Sequence, residues 1–342
     1  PPVPRDAPGL VSALNVPGPL AGGEAGTSRI GPLITLPAVL EELGIEPRKA
    51  FSQAGVSAAL FEDPDNRVSL AAASRLLEVC AQQSQRSDFG LLVGARFTLA
   101  NFGALGELMR NAATVAEALR MLLLHLHFFD RGAVPIMLPG EAGSVFLGYR
   151  VQHPTLAGSS QLKDAAVAVA SRILRELCGP AWQPLAVQFS HRRPESHATY
   201  RRVFGPGVRF DAELSGLYFD TQWMERPIAG ADPARYRLLH SALQRAESSW
   251  PISLAEEVQC ILHQQFPAGS VSAVSVARLF GYSERTLRQK LSEEGASMRS
   301  LLAETRFELA RHLLEGTELS ISRIAAALCY ADTAVFSRAF HG

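Results

Sequence analysis

An α+β N-terminal domain followed by an all-α DNA-binding domain, with two helix-turn-helix units joined by a long helix, is the fold class this sequence predicts, and three observations predict it. Apolar residues recur at helical spacing from Leu33 to about Leu124, alternate between Val134 and Val151, and mix the two periods as far as Phe219. Beyond Gly269 every apolar stripe is helical. Within that last stretch one pattern occurs twice: Val271–Gly281 breaks at Gly281-Tyr282-Ser283 and restarts over Glu284–Leu291, and Ile321–Leu328 breaks at Cys329-Tyr330-Ala331-Asp332 and restarts over Thr333–Phe340. A helix-turn-helix puts its second helix in the DNA major groove, so two in one chain offer two reading heads.

Taken in order, the Pro/Gly-rich start lacks the basic-then-apolar order of a signal peptide and is expected as a disordered leader over residues 1–32. An α+β domain of sensor size is expected over 33–232. In it Ser69 stands as the cap of a helix carrying Leu70, Ala73, Leu76, Leu77 and Cys80, and a second stripe runs through 101–107 and 113–124. The alternation Val134–Leu138 and Ser144–Val151 flanks Pro139-Gly140-Glu141-Ala142-Gly143 and predicts a hairpin with Val145, Leu147, Tyr149 and Val151 on one face. Leu162–Leu177 returns to helix, Leu185–Phe189 alternates as a strand, Ser196–Phe204 is helical, and Val208–Phe210 and Leu217–Phe219 are short strands. A partly apolar cavity of several hundred Å3, the usual order for a ligand pocket, is expected between the hairpin and the 162–177 helix.

A helical connector over 233–269 follows, interrupted at Trp250-Pro251, and then the DNA-binding domain over 270–342. Ser272, Ser283, Ser320 and Asp332 stand where its helices need N-caps, and Ser297–Leu314 is the linking helix, with Met298, Leu301, Leu302, Thr305, Leu309 and Leu313 as its stripe.

Composition narrows the function. The chain has 342 residues, 47% of them apolar, and 33 basic against 33 acidic residues, which suits two packed domains and excludes a generally basic nucleic-acid coat. Even residues 272–342 carry nine Lys/Arg and eight Asp/Glu, so positive charge matters by placement: Arg285, Arg288 and Lys290 crowd one helix. Cys80, Cys178, Cys260 and Cys329 are scattered, without metal spacing, and read as buried thiols of a reducing compartment. His125 and His127, two apart on a helix, point about 200° apart and make no metal site. Gly103-Ala104-Leu105-Gly106 lacks the spacing and Lys of a phosphate loop. No catalytic residues, metal or cofactor are expected, and no apolar run approaches membrane length, which places the protein in the cytoplasm.

The residues Ala277–Leu287, then Glu294-Gly295-Ala296-Ser297, Arg306 with Ala310, and Ile324-Ala325 ahead of Phe336-Ser337-Arg338-Ala339-Phe340, resemble the AraC/XylS family of bacterial transcription regulators. Upstream, Asp88-Phe89-Gly90-Leu91, Phe102-Gly103, Gln188-Phe189-Ser190-His191, Pro194, Tyr200, Phe204-Gly205 and Val208-Arg209-Phe210-Asp211 are similar to the arabinose-binding-like sensor domain of one subgroup. The resemblance departs at Cys329, where the family usually has Gly, and at the C-terminus, where the family continues through a further helix; the second unit is therefore expected to be truncated and its packing weak. It implies an activator controlled by a small-molecule effector, with double-stranded promoter DNA, RNA polymerase and a second copy of the chain as partners.

On this reading Arg285, Thr286, Arg288, Gln289 and Lys290 contact DNA from the first recognition helix, and Thr333, Ser337 and Arg338 from the second, with Ala334 at a matching position. Arg suits guanine O6 and N7, and Gln suits adenine N6 and N7. Without the helix-turn-helix context the same residues would be a solvated helix face. Glu304 and Arg306 are expected in contacts within the domain. Tyr149 and Arg150 are the effector candidates, with His191 and Trp182 as further possible lining residues. Two other classes stand as alternatives: a DNA-repair enzyme, which needs an activated thiol, and an interaction module with an incomplete DNA-binding domain.

Overall fold

The computed structural model describes residues 27–129, 133–140, 143–151, 159–212, 214–248, 253–265, 272–316, 321–328, 330 and 332–341. The chain divides into two compact units, one of residues 1–135 and 140–251, the other of residues 252–342 together with the segment 136–139.

The first unit begins earlier than the sequence suggests. Strand β1 (Thr27–Arg29) pairs antiparallel with β2 (Arg67–Ser69), and Ile30 and Leu33 are buried in the core. Residues 27–32 therefore belong to the fold and not to the expected leader. Arg29 is held by an ion pair to Asp65, a contact 36 positions away that no local pattern reveals. Helices α1 (Leu36–Glu42), α2 (Pro47–Ala54) and α3 (Leu70–Ser84) follow, the last capped by Ser69, whose hydroxyl accepts from Ala72 N at 3.2 Å. Helices α4 (Phe89–Gly94), α5 (Ala104–Arg110) and α6 (Val115–Phe129) complete the helical half.

The hairpin forms as β3 (Ala133–Pro139) and β4 (Ser144–Val151), and the central helix α7 (Ser159–Cys178) follows. Strands β5 (Ala186–Gln188), β6 (Val208–Arg209) and β7 (Gly216–Asp220) join the hairpin in one five-stranded sheet of order β3-β4-β7-β5-β6, with helix α8 (Ala198–Phe204) between β5 and β6. In β4 against β7, Val145 faces Phe219 and Leu147 faces Leu217. Helix α7 packs on α3, α4, β4 and β7 and is buried on nearly every side, which is the mark of a core helix rather than a surface one.

Its closest neighbour, α4, approaches backbone to backbone. A Cβ at Gly90 would run into the Gln161 carbonyl, and one at Gly94 into the Ala165 carbonyl and to within 2.8 Å of Ala168 Cβ. The Gln161 amide seals the contact, accepting from Gly90 N at 2.7 Å and donating to Ser87 O at 2.8 Å.

The connector predicted over 233–269 is two helices that group with different units. Helix α9 (Pro233–Ser248) packs on α5 in the first unit, where Arg235 pairs with Glu107 at 2.9 Å and Asp232 N donates to Asn111 Oδ1 at 3.1 Å. Helix α10 (Leu254–Gln265) groups with the second unit and packs on the linking helix, burying Val258, Ile261 and Leu262. The Glu294 carboxylate caps it, accepting from Leu254 N and Ala255 N at 2.9 Å each.

The second unit continues through α11 (Ala273–Leu279), α12 (Glu284–Glu293), α13 (Met298–Gly316), α14 (Ile321–Ala327) and α15 (Thr333–His341). Leu301 and Thr305 of the expected α13 stripe are buried and Met298 and Leu302 half-buried; Leu309 and Leu313 lie in the helix with side chains outside the described residues. Ser320 and Cys329 are also outside them.

Candidate nucleic-acid interface and effector cavity

The two helix pairs close their turns alike. Tyr282 N donates to Ala277 O at 2.9 Å in the first, and Tyr330 N donates to Ala325 O at 2.9 Å in the second. Gly281, at φ +68°, occupies the left-handed conformation that a side chain disfavours. Ser283 then caps α12, accepting from Thr286 N at 3.1 Å, and Asp332 caps α15, accepting from Val335 N at 2.7 Å. Leu287 and Leu291 seat α12 with no exposed surface, and Phe336 seats α15, edge-on to Tyr330 at 5.4 Å. The Arg306 guanidinium lies 5.4 Å from the Tyr330 ring centre, a contact within the unit, while Glu304 is exposed.

With Leu287 and Leu291 inward, the opposite face of α12 is set by geometry. Arg285, Arg288 and Gln289, at spacings of three and four, share it and are exposed. Arg288 is tethered to Glu284 one turn back at 2.6 Å, and Gln289 donates to Glu293 at 3.1 Å. Both donors are pre-positioned by their own helix. Lys290 is exposed with its Nζ 5.6 Å from the Tyr282 ring, and the Thr286 hydroxyl lies 2.7 Å from that of Ser283, engaged at the cap. On α15, Thr333, Ala334 and Arg338 are exposed and Ser337 half-buried, so the second helix presents one exposed cation among these residues against three along the first.

In the first unit Leu147 and Tyr149 of β4 meet Leu162, Val169 and Ile173 of α7 around a cavity of about 100 Å3. It is smaller than the several hundred Å3 expected from sequence, because Leu122 and Leu126 of α6, Phe102 and the Ser28–Leu33 segment also close on it. These residues were missed: their apolar spacing is visible in sequence, but nothing local shows which cavity they enter. Arg150 lies in β4 with its side chain outside the described residues.

Trp182 and His191 are not among the lining residues. Trp182 is fully buried edge-on to Phe219 at 6.5 Å. His191 Nε2 instead meets Asp164 Oδ1 at 2.8 Å, and its Nδ1 lies 2.9 Å from Arg192 O. That site is polar and already filled: Tyr200 donates to Asp164 Oδ2 at 2.6 Å, and Phe189, Phe210 and Tyr200 pack around the imidazole.

Burial pushes the Cys80 and Cys178 thiols up to about 12, the reverse of the activation a thiol-based repair enzyme requires. Among the described residues no cluster of three or more His, Cys, Asp or Glu is arranged to hold a metal, and no helix is long and apolar enough to cross a membrane.

A helix-turn-helix region together with a separate α+β domain that holds an apolar cavity defines, by fold, a DNA-binding protein with a ligand-binding domain, and the family models agree. Residues 44–228 match the model described as the arabinose-binding domain of AraC transcription regulator, N-term, and residues 276–342 match a helix-turn-helix domain. The chain belongs to the AraC family of transcription regulators, which are not enzymes. It is 28% identical over 301 residues to the HTH-type transcriptional regulator VirS of Mycobacterium tuberculosis, covering 88% of each chain. It is 25% identical over 319 residues to the ornithine utilization regulator of Pseudomonas aeruginosa, covering 92% of this chain and 94% of that one. The crystal structure of transcriptional regulator CdpR from Pseudomonas aeruginosa matches with a TM-score of 0.47 and 22% identity, over 90% of this chain and 92% of that one.

Proposed function

We propose that this regulator is a cytoplasmic, homodimeric activator that reads promoter DNA with Arg285, Arg288 and Gln289, supported by Thr286 and Lys290, and makes a second contact through Thr333, Ser337 and Arg338 near RNA polymerase. The observation that carries this reading is the exposed Arg285–Arg288–Gln289 face of α12, set opposite buried Leu287 and Leu291 behind a capped turn. Its donors have the chemistry of major-groove readers. The effector enters the cavity beside Tyr149, next to Arg150 in the same strand, and acts by binding one state of the regulator better than another; without that difference nothing is transmitted to DNA.

The test is selection from a randomised duplex library with the full chain, followed by sequencing of the retained DNA. An enriched motif with two elements is the expected result. Retention without enrichment reduces the protein to a nonspecific binder, and no retention makes it an interaction module.

A further inference from the structure

We infer that the effector is a compact, uncharged, mainly apolar molecule of about one ring, and that the cavity rejects sugars, amino acids and carboxylates. This rests on the reading of that cavity as the effector site. Most of the lining is hydrocarbon, from Phe102, Leu122, Leu126, Leu162, Val169 and Ile173. Ser28, Arg29 and Asn101, polar side chains at its edge, have partners of their own. Ser28 donates its hydroxyl to Arg29 O at 3.2 Å, and the Arg29 guanidinium is neutralised by Asp65. Asn101 Oδ1 accepts from Thr98 N at 2.8 Å, and the Tyr149 backbone N donates to Ser215 O at 3.2 Å.

A sugar entering here gives up water at every hydroxyl and meets hydrocarbon on most sides, and each unpaired hydroxyl is penalised. A carboxylate has to compete with Asp65 for Arg29, inside the fold. An uncharged ring gives up little water and gains contact on every face. Size points the same way: an enclosed apolar cavity of about 150 Å3 accepts benzene or xenon, so one of about 100 Å3 that is partly open to its surroundings has room for a single small ring at most.

The wall itself supplies the control. Ala166 and Ala170 stand one helical turn apart on α7, line the cavity, and are half-buried where their neighbours Val167 and Ala168 are fully buried. Larger side chains there grow into the space the ligand needs.

Thermal shift and calorimetric titration of the full chain with phenol and cyclopentanol, against L-arabinose, L-lysine and butyrate, decide the matter. Phenol or cyclopentanol is expected to raise Tm saturably, by mass action on the native state, while the other three leave it unchanged. Ala170→Leu is expected to keep or raise the ligand-free Tm and to weaken phenol roughly tenfold or more. Should that variant not fold, Ala166→Val, which adds two carbons, carries the same comparison. Stronger binding of arabinose, lysine or butyrate overturns the inference, as does the failure of both uncharged probes to bind, or phenol affinity unchanged in the filled variants. DNA titration of the same samples reports separately on the regulator. A probe that binds in the cavity without altering DNA affinity leaves the ligand class standing and removes the effector role.

Discussion

Half-buried His191 and fully buried Asp164 form a pair, Nε2 to Oδ1 at 2.8 Å, joining the strand-end loop after β5 to the central helix. Burial pulls the His191 pKa down, but the Asp164 hydrogen bond and charge outweigh it, with help from Arg192 O and against Lys163, and the net direction is up. Burial pushes Asp164 up as well, over the opposing pull of His191 and Tyr200, with Asp88 adding to the rise.

Both shifts mean that the native state binds protons more tightly than the unfolded chain. The contribution of His191 is therefore fully present below the unfolded His value of about 6.5 and is lost as pH rises through its raised folded value, while that of Asp164 is fully present only below the unfolded Asp value of about 3.9 and fades above it. Urea denaturation of wild type and His191→Gln at several pH values from 5.5 to 8.5 (roughly the range over which a His titrates) should show a stability gap that narrows as pH rises. A gap of constant size would mean that His191 acts through packing alone.

The contact of α4 with α7 admits no side chain at Gly94. Gly94→Val must push Ala165 and Ala168 away or bend α4, and overpacking of this kind costs about 1–3 kcal/mol, more where backbone is struck. Reduced Tm with a DNA affinity unchanged at low temperature is the expected outcome. An unchanged Tm would show that the two helices separate freely.

Arg288→Ala and Arg285→Ala are each expected to weaken cognate DNA by about 1–3 kcal/mol and to leave scrambled DNA nearly unaffected, because base contacts carry sequence information and phosphate contacts do not. Glu284→Gln, which releases Arg288 from its 2.6 Å tether, should loosen discrimination without abolishing binding. Anisotropy titrations at one salt concentration measure all three. Equal losses on both DNAs would reassign the arginines to the backbone.

The legible parts of this fold were those set by neighbours in sequence. The caps Ser69, Ser283 and Asp332 each bond a backbone N–H three residues on, and the 134–151 hairpin is an alternation around a Gly-containing turn, so short windows contain the whole cause. The ordered start at Thr27 was hidden because its cause is pairing with Arg67–Ser69. Glu294 as the cap of α10 lies 40 positions from its target, and no window spans that distance. The alternation of β4 and the stripe of α7 locate the cavity, but its volume depends on side chains from distant segments such as α6, Phe102 and Ser28–Leu33, which no short window brings together. His191 and Trp182 have the chemistry of ligand contacts, yet they are consumed by Asp164 and the core.

The two reading heads should contact major-groove segments about 10 base pairs apart on one face of the duplex. Each head has the same closed turn, through Tyr282 to Ala277 and Tyr330 to Ala325, and a helix seated by Leu287 or Phe336. Between them α13 runs for 19 residues, or about 28 Å at about 1.5 Å per residue, and as a continuous helix it fixes the spacing instead of letting it vary. The heads are unequal in charge: Arg285, Arg288 and Lys290 stand on α12 against Arg338 on α15. Arg338→Ala should therefore erase protection at one segment and lower affinity modestly, whereas Arg285→Ala with Arg288→Ala should erase both, the second head being too weak to hold alone. Hydroxyl-radical footprinting on the selected site reads both effects. Protection confined to one segment in the wild type would sink the two-head reading, and survival of the α15 footprint in the double variant would reverse the order of the heads.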